Sequence, residues 1–413
     1  MTAVIILAVS LTATTTSAGK AFDNLSLDGY FKNFSVGYWL PEIDFSGRTI
    51  DLPPLGSVTN RLRLNARWRI IKNLSFSTSY DIGPVMQDPA LYRASPTVSR
   101  IDPFSYRVDD LDSRLYPAQG DRVASFAVFN NLDRLYFELR TSRVDFFVGR
   151  QAIAFGSARA VNPTDVLAPY TYETLDTEDR VGVDAVRARM PLGFMGEVDI
   201  GWVFGHDFAF AHSAGFIRAK FHVAQSDVAV MAMPYRKNLM LGLDLTQPLG
   251  GAGTWLEAAH TFADALTDKD SPGASDFFRA SAGGDYSLSD NTYGFAEYHF
   301  NQAGADDPPR YADRLAGTAY TEGGVYLFGR HYLIPGVIHQ FSPLVSVTAE
   351  LLWNLSDGSL YLAPSVEYNV REDIYLAGGF FAGLGESPDA LSGARSEFGT
   401  YPDIVYTSFR YYF

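Results

Sequence analysis

The chain has 413 residues, of which 47% are apolar, 14% are aromatic and only 19% are charged. Its net charge of −14 argues against nucleic-acid binding, which needs a basic surface. It contains no cysteine, which excludes disulfides, thiolate metal sites and covalently attached haem within this chain. Many aromatic residues beside few charges are typical of strands that face lipid and end in aromatic girdles.

The N-terminal segment predicts an export signal. Residues Met1 to Leu11 are mostly apolar, and Thr, Ser and Ala follow as far as Ala18. Small residues at Thr16 and Ala18 precede a plausible cleavage point, so we predict a signal peptide over 1–18 and a single barrel domain over 19–413. No Lys or Arg opens the segment, and the alternative is a buried helix or an anchor. The apolar run is shorter than the roughly 20 residues that a spanning helix needs.

From residue 58 onward, polar and apolar residues alternate with period two, which predicts strands rather than helices. In the clearest segment, 61–70, four Arg and one Asn alternate with two Leu, Ala, Trp and Ile. Segments 74–82, 134–140 and 345–353 show the same alternation. The series of such segments predicts an all-β fold, namely a transmembrane antiparallel β-barrel of about 18 strands, within a range of about 16–20.

The lengths of the connections predict the order of turns and loops in this barrel. Short turns are predicted at Lys72-Asn73, Thr141-Ser142, 191–195, Ala224-Gln225, 248–253, 289–291, 341–343 and 370–373. Longer loops are predicted near 40–57, 83–131, 152–180, 206–213, 234–237, 264–275, 302–321, 354–358 and 382–402. Short periplasmic turns alternating with longer external loops give an even number of strands, as bacterial barrels require. Segments 122–129 and 317–340 are each long enough to add a strand.

The C-terminal segment has the pattern of a final barrel strand. Counting back in twos from Phe413 places Tyr411 and Phe409 on the same face. A terminal Phe with alternating aromatic residues resembles the recognition signal of outer-membrane proteins. We therefore predict the barrel-assembly machinery as a partner and outer-membrane lipid as the surroundings. The alternative is the last strand of a secreted sandwich.

Two sets of residues resemble a known group of proteins. The first set is Gly149-Arg150-Gln151, Phe155-Gly156 and Asn162-Pro163-Thr164-Asp165. The second set is 354–359, Ser396-Glu397-Phe398-Gly399 and Tyr412-Phe413. Both resemble porin-like outer-membrane β-barrels, a loose group that includes alginate-export-type porins and the barrel components of porin–cytochrome conduits. The resemblance implies a barrel in the outer membrane of a Gram-negative bacterium, but no particular substrate. The same residues also suit ordinary turns and loops.

Catalytic and metal-binding patterns are weak in this sequence. His206, Asp207 and His212 fall in one predicted loop, but two histidines without a third fixed ligand give little support for a metal site. Glu297 and His299 share one face of a predicted strand, for which pore lining is the simpler interpretation. The sequence has no Gly-x-Ser-x-Gly elbow, phosphate-binding loop or His-Glu-x-x-His motif. We therefore predict no enzyme, no cofactor and no metal.

Charges on the predicted inward faces are segregated by sign. Strands two to six carry an excess of Arg, namely Arg61, Arg63, Arg67, Arg69, Arg134, Arg140, Arg143, Arg187 and Arg189, against Asp81, Glu138 and Asp145. Later strands carry Glu197, Asp199, Asp227, Asp244, Glu257, Asp285, Glu297, Glu350 and Glu367 against Arg218, Lys220, Arg279 and Arg410. A barrel of this size leaves an aqueous interior. Opposite charges on facing walls would produce a transverse field resembling that of porins, and the alternative is local pairing that selects nothing.

From this pattern we predict a set of pore-lining residues and a function. The pore-lining residues are Arg61, Arg63, Arg67, Arg69, Arg134, Glu138, Arg140, Asp145, Arg187, Arg189, Glu257, Glu297, Glu350 and Glu367. The leading hypothesis is a porin-like channel for small hydrophilic solutes or an exported polymer. One alternative is a barrel sleeve that encloses a multihaem cytochrome made as a separate partner. A second alternative is an outer-membrane hydrolase.

Overall fold

The computed structural model describes residues 24–45, 48–91, 105–172, 174–193, 195–267 and 274–413. The predicted signal peptide, 1–18, lies outside the described residues. No helix in these ranges is long and apolar enough to cross a membrane.

Long antiparallel strands account for most of the described chain. The first nine are β1 (Leu25–Trp39), β2 (Leu55–Ile71), β3 (Leu74–Gln87), β4 (Phe126–Arg140), β5 (Asp145–Ala152), β6 (Gly182–Leu192), β7 (Gly196–Phe204), β8 (Ala214–Val223) and β9 (Ser226–Tyr235). The next nine are β10 (Asn238–Leu249), β11 (Ala252–Phe262), β12 (Phe277–Ser289), β13 (Thr292–Asn301), β14 (His331–Ser342), β15 (Val345–Asn354), β16 (Leu360–Arg371), β17 (Ile374–Leu384) and β18 (Asp403–Tyr412).

These strands form one closed barrel. Each strand pairs with its neighbours in sequence, and β1 closes the barrel by pairing with both β2 and β18. Tyr30 of β1 lies opposite Arg63 on one side and Tyr412 on the other. The predicted all-β barrel of eighteen strands is confirmed. All eight predicted turns fall between paired strands, and neither ambiguous segment adds a strand to the barrel: β4 begins within 122–129, and 317–330 belongs to a loop.

The loops at the end of the barrel opposite the turns contain short strands and single helical turns. Short strands are Ile43–Phe45, Arg48–Ile50 and Arg114–Tyr116, the last of which pairs with the start of β4. Single helical turns are His206–Phe208, Phe210–His212, Pro308–Arg310, Tyr311–Arg314, Thr318–Thr321 and Phe398–Thr400.

The alternation in sequence becomes an apolar outer face and a polar inner face. On β2, Trp68 is 45% exposed on the outside, whereas Arg63 is 3% exposed on the inside. Phe137 of β4 and Ile200 of β7 repeat this outward pattern. An exposed apolar belt around a closed barrel is suited to lipid. An Arg facing lipid near the midplane would cost roughly 2–4 kcal/mol, which favours the observed inward row of arginines.

The barrel closes at Phe413. The Phe413 N–H donates to the carbonyl of Gly29 (3.0 Å), and the Gly29 N–H donates back to the Phe413 carbonyl (2.9 Å). The Phe413 ring lies against the Cα of Gly29, so a side chain there would meet the ring. Phe409 packs on Phe31 of β1, with ring centroids 6.3 Å apart, and Tyr411 lies opposite Phe31 in the register. Phe413 therefore extends the seam between β18 and β1.

We expect deletion of Phe413 to lower the amount of folded barrel in the outer membrane by several fold, because the deletion removes two hydrogen bonds and an aromatic contact from the closing seam. Heat-modifiable migration on gels measures folded barrel. Phe413→Trp, which keeps a terminal aromatic residue, is the control and should assemble at near wild-type levels. Equal folded amounts of the deletion variant and wild type would contradict both the closure argument and the predicted assembly signal.

Candidate functional site

The connection between β5 and β6, residues 153–181, folds into the lumen and is called the inserted loop. It turns inward at Gly156, which has a φ of +106°. A Cβ atom at Gly156 would lie 2.6 Å from a carboxylate oxygen of Glu257 on β11. Glycine is required there because its backbone is left-handed and the wall is in close contact.

Glu257 holds the first part of the inserted loop. One carboxylate oxygen accepts hydrogen bonds from the backbone N–H groups of Ser157 and Ala158, both at 3.0 Å. The other oxygen accepts from the N–H and the hydroxyl of Thr164, at 2.8 and 2.7 Å. Glu257 is fully buried, and these four donors offset the loss of its hydration.

Glu297 on β13 holds the next turn of the loop. It accepts hydrogen bonds from the N–H groups of Arg159 (2.7 Å) and Val161 (3.0 Å). The indole N–H of Trp255 donates to it at 2.9 Å. The loop carbonyl of Val161 accepts from the hydroxyl of Ser281 at 2.6 Å. Irregular backbone inside the barrel is therefore satisfied by two buried wall carboxylates and their neighbours.

The other end of the inserted loop is acidic and binds the opposite wall. Lys32 of β1 is fully buried and contacts Asp176 (2.8 Å) and Glu178 (2.7 Å). Arg61 of β2 contacts Asp176 at 3.0 Å, and the hydroxyl of Tyr30 donates to Asp179 at 2.6 Å. Although burial opposes it, pairing with Lys32 and Arg61 holds the pKa of Asp176 below its usual range. The loop therefore spans the lumen from β11–β13 to β1–β2.

Inside the loop, Asp165 and Arg180 form an ion pair. Their oxygen and nitrogen atoms are 3.1 Å apart, and Arg180 also lies 3.9 Å from the ring centroid of Tyr170. Complete burial raises the pKa of Asp165 to about 6 despite this pairing. Arg180 is thus held by groups of the loop itself.

The predicted arginine row divides into a buried and an open half. Arg63 contacts Asp133 at 2.8 Å and Asp81 at 3.4 Å, and Arg61 also contacts Asp81. Toward the turns, Arg67 contacts Glu138 (2.9 Å) with 53% of its side chain exposed. Arg61 and Arg63, farther from the turn, are neutralised by nearby acids. Arg67, closer to the turn, is more than half exposed to the lumen.

The structure places the other predicted pore-lining residues on the inner face or at its edge. Pairs are Arg134 with Asp133, Arg140 with Glu138, Arg187 with Asp199, Arg189 with Glu197, and Glu367 with Arg410. Arg69 donates to Asn24, Asp145 lies opposite Arg140 and Arg189 in the register, and Glu257 and Glu297 hold the loop. Glu350 makes no ion pair within 4 Å among the described residues. Pore lining itself stays a prediction for this set.

Both sets of residues that resemble porin-like barrels have structural roles here. Thr164 and Asp165 belong to the inserted loop described above. In the second set, the amide of Asn354 donates to Glu397 (2.7 Å), whose own N–H donates to Asp357 (2.7 Å). Burial raises the pKa of Glu397 to about 7. This cluster joins the loops 355–359 and 385–402 at the rim.

Several functional residues were missed by sequence reasoning. Lys32, Asp133, Arg159 and the acidic run 176–179 anchor or line the loop, and none was predicted as a site residue. The dense charges of the segment 176–180 were the only available signal in the loop. His299, considered beside Glu297, instead contacts the hydroxyl of Ser281 at 2.8 Å. The described residues contain no group of three metal-ligating side chains.

The inserted loop leaves cavities on two sides. One of about 560 Å³ lies against β2–β4 and includes Arg61, Asp81 and Asn131. The other, of about 480 Å³, lies against β15–β18 and includes Glu350 and Phe381. The lumen is thus partitioned by the loop rather than filled by it.

Comparisons with known proteins address the fold. No model of a known protein family matches the sequence, and no match is found among curated proteins. OccAB2 of Acinetobacter baumannii matches with a TM-score of 0.59 at 8% identity, over 96% of this chain and 99% of that one. OccK11 (OpdR) of Pseudomonas aeruginosa matches with a TM-score of 0.54 at 11% identity, over 94% and 95%. OccD3 (OpdP) of the same organism matches with a TM-score of 0.53 at 10% identity, over 95% and 91%. The predicted resemblance to porin-like outer-membrane barrels is therefore confirmed at the level of the fold.

We expect Glu297→Gln to loosen the inserted loop, because the amide is uncharged and one of its two terminal atoms cannot accept a hydrogen bond. Hydrogen exchange of the backbone amides in 157–164 should accelerate by about tenfold or more, as loss of charge-assisted bonds predicts. Glu367→Gln is the matched control, because Glu367 pairs with Arg410 away from the loop. Unchanged exchange in the first variant would show that Glu297 does not hold the loop.

We expect Arg63→Gln to destabilise the barrel by about 3–5 kcal/mol, because it leaves Asp81 and Asp133 buried with one cation fewer. Urea unfolding of the barrel in lipid vesicles measures this change. Arg67→Gln should cost less than about 1 kcal/mol, since the Arg67 side chain is more than half exposed and the buried Glu138 keeps Arg140 as a partner. Equal stabilities of the two variants would refute the division of the arginine row.

Proposed function

We propose that this chain is an outer-membrane channel for small hydrophilic solutes, in which the inserted loop sets the size and route of what passes. The single observation that carries the proposal is a charged loop anchored across the lumen of a closed eighteen-stranded barrel, with cavities beside it. A barrel of this strand number has an aqueous interior. A loop that narrows this interior turns a wide opening into a size limit.

The apolar outer face supports placement in the outer membrane. A barrel with an outward belt and an inward polar face matches the bacterial outer-membrane type. Export by a signal peptide over 1–18 and assembly by the barrel-assembly machinery belong to the same proposal. The fold shared with the Occ structures supports a channel and leaves the solute to be determined by the residues of this chain.

The inserted loop favours small solutes over the other candidates. A sleeve around a multihaem cytochrome needs a lumen wide enough for a folded protein, whereas residues 153–181 cross this lumen. An exported polymer would have to pass the same constriction. A hydrolase needs charged groups available to a substrate, whereas Glu257 and Glu297 are occupied by loop N–H groups. A passive channel is therefore proposed ahead of these alternatives.

We expect the purified protein to form steady ion-conducting steps in a planar bilayer. The double variant Arg67→Glu and Arg140→Glu should shift the reversal potential in a salt gradient toward cations, because both side chains are more than half exposed at the mouth nearest the turns. Arg371→Glu, at a turn on the other wall, is the control and should shift it less. A folded barrel without conductance would refute the channel. Conductance with an unchanged reversal potential would refute the charge selection.

A further inference from the structure

The cavity against β15–β18 contains a carboxylate that makes no ion pair among the described residues. It is about 480 Å³ in volume and contains two carboxylates, Asp165 and Glu350. Asp165 is paired with Arg180 at 3.1 Å. Glu350 has no cation within 4 Å among the described residues, and it faces the hydroxyl of Tyr172. A partly buried carboxylate without a counter-charge attracts a cation from solution.

The wall around Glu350 leaves room above the carboxylate. Its neighbours across the strands are Gly336 on β14, over which the Phe295 ring lies, and Ala363 on β16, whose short side chain lines the cavity. Thr348 and Ser365 also line the cavity and are short. The carboxylate is thus reachable by a group larger than a proton or a water molecule.

Aromatic rings line the same cavity. Tyr172 of the inserted loop lies 6.5 Å from Phe381, and Phe381 lies 5.9 Å from Tyr406 (ring centroids). Tyr326 also belongs to the lining. Aromatic faces attract cations whose charge is spread over carbon-bound hydrogens, and quaternary ammonium groups are recognised in this way. An inorganic cation would instead require several oxygen ligands to replace its water.

The three arginines that line this cavity contact groups other than Glu350. Arg159 contacts Asp285 at 2.7 Å, and Arg180 is paired as described. Arg279 is buried, makes no ion pair within 4 Å among the described residues, and donates to the carbonyls of Pro163 (2.7 Å) and Gly323 (3.1 Å). None of the three guanidinium groups comes within ion-pair distance of the Glu350 carboxylate, which is therefore free to meet a cation from solution.

We propose that this cavity, the Glu350 compartment, is a binding site for a small organic cation that carries an ammonium or trimethylammonium group. Glu350 supplies the counter-charge, and Tyr172, Phe381 and Tyr406 supply aromatic faces. A role of this site in the passage of a solute rests on the proposed channel function. Binding itself can be measured in a folded barrel whether or not it conducts.

Three probes of nearly equal shape test the sign of the site: choline, the neutral 3,3-dimethylbutanol and the anionic 3,3-dimethylbutyrate. Isothermal titration calorimetry on the folded barrel in detergent should show saturable binding of choline. The neutral and anionic probes should bind about tenfold more weakly or not at all. Equal binding of the choline and butanol probes would overturn the charge argument, and preferential binding of butyrate would assign the cavity to anions.

Variants locate the site. Glu350→Gln should weaken choline binding about tenfold, and Phe381→Leu by several fold, because each removes one of the two attractions. Glu367→Gln is the matched control, because this wall carboxylate is already paired with Arg410. The affinity of this variant for choline should stay within about twofold of that of wild type. Equal weakening by Glu350→Gln and Glu367→Gln, or none by either, would refute the assignment.

Choline block of potassium current in a planar bilayer separates this inference from the proposed function. Block in wild type that is relieved in Glu350→Gln supports both. If the barrel conducts but choline neither blocks the current nor binds in calorimetry, the binding site is refuted and the channel stands. Binding in a barrel that does not conduct refutes the channel and leaves the site.

Discussion

The architecture depends on one requirement: backbone polar groups that enter a barrel must find partners there. Residues 157–164 have irregular backbone inside the wall, where each unpaired N–H would cost free energy. Glu257 and Glu297 meet this requirement because each carboxylate offers several lone pairs to converging donors. Apolar side chains in their place would leave these N–H groups without acceptors inside the barrel. These two acids therefore hold the first part of the loop inside the lumen, and Lys32 and Arg61 hold its other end.

The segregation of charge along the sequence then has a structural explanation. The basic strands bind the acidic end of the inserted loop through Lys32 and Arg61, and the acidic strands bind its backbone N–H groups. The segregation of charge in the sequence is therefore explained by binding of the inserted loop at least as well as by an electric field across the lumen. Local pairing, the alternative considered for the pattern, describes Arg63, whereas Arg67 remains exposed. Arg67 is also paired, with Glu138, so the ion pairs support local pairing in both halves, and a field from the exposed half stays a prediction.

The barrel and the loop near 152–180 were predictable from the sequence, but the inward position of that loop was not, for a physical reason. Strands are encoded by alternation among adjacent residues, so the ten residues 61–70 were enough to predict β2. The turns were encoded by short polar segments between the strands. The inserted loop depends on partners far apart in the chain: Ser157 and Glu257 are 100 residues apart, and Lys32 and Asp176 are 144 apart. Nothing local distinguishes Glu297, whose carboxylate binds the loop, from Glu367, which pairs with Arg410. Pore lining was therefore assigned to all inward charges alike.

The position of the inserted loop also determines which wall charges remain available to a solute. Against β1 and β2 the loop approaches within ion-pair distance, so wall and loop charges cancel each other. Against β15 and β16 the loop presents Tyr172 rather than a cation, and Glu350 makes no ion pair within 4 Å among the described residues. A carboxylate in a site of low dielectric interacts more strongly with a passing ion than one in bulk water. The loop is held by ion pairs at β1 and β2, whereas at β15 and β16 it leaves a carboxylate without an ion pair. Electrostatic discrimination between solutes is therefore expected on that side of the lumen.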